Sequence, residues 1–162
     1  MSYTRFFVMI VTSTVLMFAL MYSTVYSIDH IWWSQTKFWM ALYMGAVMAV
    51  VMLSFMLSMY EDKRKNLAIF AGSAAVFAAS FFLVRAQTTV DDVAWMKAMI
   101  PHHSIAIMTS ERAHIRDPRV RKLAHDIIVA QRREIAQMKY LIADIEKNGV
   151  RSTKRLPQEV QP

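Results

Sequence analysis

Three stretches of the sequence, residues 6–26, 38–59 and 67–84, contain no charged side chain. Each is about 18 to 22 residues long. At about 1.5 Å of rise per residue, helices of that length cover roughly 27–33 Å, enough to cross the hydrocarbon core of a bilayer. The first stretch is too long for a cleaved signal peptide, lacks a clear small-residue cleavage site and is followed by two more of its kind. The pattern predicts three transmembrane helices within residues 1–87.

The composition agrees. The 162 residues are 56% hydrophobic and 19% charged, and a mean hydropathy of +0.27 is too apolar for an ordinary soluble domain. With 3 Gly, 4 Pro and no Cys, collagen-like repeats, intrinsic disorder and a disulfide scaffold are excluded. So are a thiolate metal site and a cysteine nucleophile. The 14 methionines are the compositional oddity.

Loop charges set an orientation. Arg5 precedes the first span and Lys63, Arg64 and Lys65 separate the second from the third, against Lys37 and Arg85 on the opposite side. The positive-inside rule therefore predicts a cytoplasmic N-terminus in a bacterial inner membrane, with everything after the third span in the periplasm. Tyr3, Tyr26, Trp32, Trp33, Trp39 and Tyr60 flank the spans as interfacial anchors. In the second span Met40, Met44, Met48, Met52 and Met56 recur every fourth residue, with Met59 closing the series. A thioether ladder could pass Cu(I), but Met is also an adaptable core filler, and that reading is preferred. The parallel stripe of Ala41, Gly45 and Ala49 predicts a close helix–helix contact.

From Gln87 onward the chain carries 13 Lys/Arg and 9 Asp/Glu. Thr89 followed by Asp92 predicts a capped helix start, with the helix running to about His114. Asp117-Pro118 restarts a second helix that ends at Asn148-Gly149. Residues 88–149 thus form a water-exposed helical hairpin and 150–162 a flexible basic tail, making the whole chain all-α. Wheel positions place Val120, Leu123, Ile127, Gln131, Glu134, Met138 and Leu141 on one arc of the second hairpin helix, with His125 pointing away. Gln131 and Glu134 in such an arc require partners, because an unpaired buried charge is costly.

Two segments carry a family resemblance. Met99-Ile100-Pro101-His102-His103-Ser104-Ile105-Ala106-Ile107-Met108, together with Gln131-Arg132-Arg133-Glu134-Ile135-Ala136-Gln137-Met138, resembles the signatures of domain-of-unknown-function family 305. These are a His-His-x-x-Ala-x-x-Met segment and a Gln-x-x-Glu-Ile-x-x-Met segment on paired helices, and the match covers residues 89–147. The three spans resemble a membrane-anchored branch of that family. The resemblance implies half of a ferritin-like four-helix bundle and, as in some periplasmic members, copper binding through His and Met. It implies no enzymatic activity. Carried over by position, the metal ligands would be Met99, His102, His103, Met108, Met138 and Glu134.

The residue chemistry supports part of this. Imidazole binds both oxidation states of copper and thioether favours Cu(I). Met99 and His103 are i, i+4 on one helix face. Pro101 removes a backbone donor, and a kink there could splay His102 and His103 toward one cavity. Plainer readings compete: the His pair as surface residues, Glu134 as partner of Arg112 or a His, and the methionines as core. His114 and His125 are read as non-ligands. His30, beside Asp29, Trp32 and Trp33, is read as an interface residue rather than a ligand. A di-metal carboxylate site from Glu111-Arg112-Ala113-His114 and Glu134 is the weaker enzymatic alternative. Nucleic acid is not an expected partner.

The sequence therefore predicts a membrane-anchored protein, with the lipid bilayer and a metal ion, copper, as partners, acting in periplasmic metal buffering, sensing or delivery. The alternative is a structural or assembly subunit with the hairpin as its docking surface. Two helices bury a single seam, so a homo-oligomer is expected, a dimer of hairpins ahead of a trimer.

Overall fold

The computed structural model describes residues 2–151, so most of the tail at 150–162 lies outside the described residues. Among the described residues there are five α-helices and no strand: α1 (Tyr3–Leu20), α2 (Gln35–Phe55), α3 (Lys63–Ala86), α4 (Asp92–Arg112) and α5 (Pro118–Asn148). The first three are long and apolar enough to cross a membrane. Their apolar side chains face outward: Val8, Leu16, Phe55, Leu67 and Phe82 are all exposed. An aqueous surface does not tolerate so many contiguous large hydrophobics, and lipid does.

The helix ends differ from the charge-free runs because side chains close them. α1 stops at Leu20, short of Tyr26. There the Ser23 hydroxyl donates to the Leu20 carbonyl at 2.7 Å and Lys37 Nζ to the Met21 carbonyl at 3.0 Å. α2 begins earlier than Phe38, at a Ser34 cap whose hydroxyl accepts the Lys37 N–H at 3.2 Å. It ends at Phe55, and residues 57–59 form a separate 3₁₀ turn, so Met56 and Met59 leave the methionine ladder. Asp62 caps α3 by accepting the Arg64 and Lys65 N–H groups, both at 3.1 Å. Asp91, not Thr89, caps α4, accepting the Ala94 N–H at 2.7 Å. α4 ends at Arg112 because Ala113 is extended, which leaves His114 outside the helix. Asp117 caps α5 as its Asp-Pro sequence predicts.

α2 is the centre of the front half, with α1 on one side and α3 on the other. The small-residue stripe is buried: Ala41, Gly45, Ala46 and Ala49. A Cβ added at Gly45 would collide with Thr14 Oγ1 and lie 3.2 Å from Thr14 Cγ2. The Thr14 hydroxyl is tied to the Ile10 carbonyl at 2.8 Å and cannot swing away freely. At the far end Phe6, Leu53 and Tyr60 form a buried cluster. A polar clasp closes it: Tyr3 donates to Asn66 Oδ1 at 2.8 Å, and Asn66 Nδ2 donates to the Tyr60 carbonyl at 2.8 Å.

α4 and α5 form the hairpin around Met96, Ile100, Ile107, Ile135, Met138 and Ile142. The buried face of α5 is rotated from the arc anticipated above. Ala124, Ile135, Met138 and Ile142 are inside, whereas Val120 and Leu123 are exposed. The first turns of α5 meet the connecting residues and the end of α4 only in part: Ala124 is buried and Arg121 bonds the Ile115 carbonyl, while Val120 and Leu123 stay exposed.

Two glycine substitutions separate a packed stripe from open helix. Gly45→Ala is expected to destabilise the chain by about 1–3 kcal/mol through overpacking. Gly72→Ala, whose Cβ meets nothing within 4 Å, is expected to be neutral or to stabilise by up to about 1 kcal/mol through helix propensity. Thermal unfolding in detergent checks both; equal effects would show that the α1–α2 approach is not tight.

Candidate functional site

Pro101 lies buried inside α4 without interrupting the helix. The three positions after it diverge by about 100° each, as a helix requires. His102 points to solvent, His103 toward α5, and Ser104 toward the segment that joins α1 to α2. The His102 and His103 rings lie 6.0 Å apart, inclined at 66°. They are neighbours, not two walls of one cavity, so the splaying anticipated from Pro101 does not occur.

His103 Nε2 sits 3.8 Å from Glu134 Oε2 across the hairpin. This is an ion-pair approach longer than a hydrogen bond. His103 Nδ1 is buried with no hydrogen-bond partner, as is Gln131 Oε1. Burial is the largest influence on His103 and pushes its pKa below the ordinary imidazole value. Glu134 opposes that shift and His102 adds to it. The ring is therefore neutral at pH 7, the form that binds metals. In an antiparallel hairpin, one turn back along α4 meets one turn forward along α5. The rung next to His103–Glu134 is thus Met99 opposite Met138, and both belong to the hairpin's apolar cluster. Met108 is half-buried on α4, one turn beyond Ser104.

The structure thus brings His103 and Glu134 together, leaves His102 beside them at the surface, and places Met99 and Met138 in the hairpin's apolar cluster. Among the described residues no group of three or more His, Asp or Glu side chains is close enough to hold a metal ion. Thioethers would have to complete any such site. The carboxylate alternative does not assemble: Glu111 lies 3.7 Å from Arg132, and His114 is beyond the end of α4.

The most fully buried polar group in the hairpin is Ser104. Its hydroxyl accepts the Tyr26 N–H at 2.7 Å and bonds His30 Nδ1 at 2.9 Å. Around it the joining segment grips both helices. Trp32 packs on the hairpin core and lies 5.9 Å under Lys97 Nζ. Arg132 stacks 5.7 Å over Tyr26. Lys139 bonds Asp29, holding that carboxyl at about 2, with the Ser27 hydroxyl as a second donor. Tyr26, His30 and Trp32 thus all contact the hairpin. No spacing rule marks Ser104; the only available signal was a small hydroxyl facing the apolar side of a helix.

Comparison with known proteins bears on this half of the chain. Residues 81–157 match the family model described as "Domain of unknown function (DUF305)". Over 63 residues the chain is 40% identical to an uncharacterised protein of Acanthamoeba polyphaga mimivirus, a match covering 38% of this chain and 41% of that relative. The chain thus spans about two fifths of that relative's length. No solved structure matches. The family match includes every candidate ligand named above together with Ser104, and leaves out α1 and α2.

Removing the Ser104 hydroxyl should leave the part-buried Tyr26 N–H without its acceptor, at a cost of about 1 kcal/mol. Ser104→Ala is expected to leave α4 and α5 helical while residues 23–33 lose hydrogen-exchange protection; unchanged protection would show that the joint lies elsewhere. The joint is also expected to weaken in acid. Burial lowers the His30 pKa despite Asp29, so its contribution is present above the unfolded value of about 6.5 and is lost as pH falls below it. Protection measured between pH 7.5 and 5 checks the sign.

Proposed function

We propose that the chain is a membrane-anchored copper-binding protein, with α1–α3 spanning the bilayer and the α4–α5 hairpin in the periplasm, buffering or handing on the metal. One observation carries the reading: His103 is a partly buried imidazole whose Nδ1 is buried without a hydrogen-bond partner and whose Nε2 lies 3.8 Å from the Glu134 carboxylate. A histidine held that way by packing alone leaves a lone pair unused, which is costly unless something binds it.

The surrounding donors fit copper. His103 would supply nitrogen, Glu134 oxygen, and Met99 and Met138 sulfur, with His102 and Met108 at the margin. Imidazole accommodates both oxidation states and thioether selects Cu(I). Thioethers also stay chemically available in an oxidising compartment where thiols would pair. The family match supports the assignment to this hairpin. The exposed Val120, Leu123 and Val129 support self-association along α5, which would complete a four-helix bundle from two hairpins.

Competition titration of the purified full-length chain with Cu(I) and Cu(II) tests the reading. His103→Ala is expected to weaken both by more than the about 10–100-fold typical of losing an outer-shell partner. Met99→Leu with Met138→Leu, close in volume to the native pair, is expected to weaken Cu(I) selectively. Affinities unchanged in both variants would overturn the site.

A further inference from the structure

α1 and α3 are clasped at one end by Tyr3 and Asn66, and each packs on α2. Between them, above an α2 floor of Ala41, Gly45 and Ala49, lies an apolar groove of about 690 Å³. Its volume falls within the roughly 300–1,000 Å³ of small-ligand sites. On α1 its lining runs from Phe6 to Phe18, which at about 1.5 Å per residue is a length of roughly 18 Å. One leaflet of a bilayer core is about 15 Å deep. Gly72 faces open space in this groove.

The clasped end is basic. Arg5, Lys63 and Arg64 are exposed there and pair with no acidic side chain among the described residues. Lys65 bonds Asp62, which also caps α3. Counting Glu61 and Asp62, four basic residues still face two acidic ones. We propose that the groove holds an acyl chain of one anionic phospholipid, whose phosphate lies against Arg5, Lys63 and Arg64. This rests on the reading that α1–α3 cross a bilayer. The charge argues against a second copy as occupant: parallel protomers meeting along this groove would set identical basic ends side by side. An anionic headgroup relieves that charge where a neutral one does not.

Native mass spectrometry of the full chain, exposed to equal amounts of phosphatidylglycerol and phosphatidylcholine, tests the proposal. One phosphatidylglycerol is expected to be retained preferentially, and added inorganic phosphate should not displace it. Arg5→Gln and Arg64→Gln should each reduce that preference about fivefold. Gly72→Leu, placed in open space, should reduce retention of both lipids without lowering the unfolding temperature. Equal retention of the two lipids, or unaltered retention in Gly72→Leu, would overturn the site. So would a dimer that Gly72→Leu abolishes, since the groove would then be an interface between copies. Release of the chain from vesicles by high salt would instead overturn the bilayer reading beneath it.

Discussion

The Ser104 hydroxyl is the narrow point through which the two halves of the chain are held together. It sits fully buried on α4 and satisfies a backbone N–H from Tyr26 and a ring nitrogen of His30, residues more than seventy positions earlier. A fully buried hydroxyl left without partners costs more than an ordinary hydrogen bond returns, so Ser104 specifies the joint. Lys139–Asp29, Arg132–Tyr26 and Lys97–Trp32 surround it, but the first two have an exposed member and are weak alone. With the joint made, the hairpin cannot turn about the end of α3, and its orientation toward α1 and α2 is set.

Helix geometry then assigns the neighbouring positions. If Ser104 faces the membrane half, His103 is rotated about 100° away and faces α5, and His102 a further 100° and faces water. The candidate site is therefore a consequence of the joint. His103 meets Glu134 because α5 runs antiparallel beside α4, and the next rung pairs Met99 with Met138. Structure and function here share three consecutive residues.

Much of this is legible in the sequence, unevenly. Three charge-free runs suffice to find α1–α3, the helices long and apolar enough to cross a membrane. Their ends are not legible, since they depend on distant groups such as Lys37 reaching the Met21 carbonyl and Tyr22 accepting the Ser34 N–H. The Asp-Pro start of α5 is local chemistry and is read directly, as is the close approach at Gly45. The buried face of α5 is misplaced by periodicity alone, because Val120 and Leu123 fit an apolar arc but are left exposed near the end of α4. Ser104 and its partners are invisible to any periodic argument, being a contact between one helix and a loop far away in the chain.

The metal content of the full chain purified from native membranes with no metal added bears most directly on the account. It predicts copper at a fixed ratio to protein in the native chain and a loss of that copper in His103→Ala with the hairpin still helical. Metal-free native protein, or copper content indifferent to His103→Ala, would contradict it.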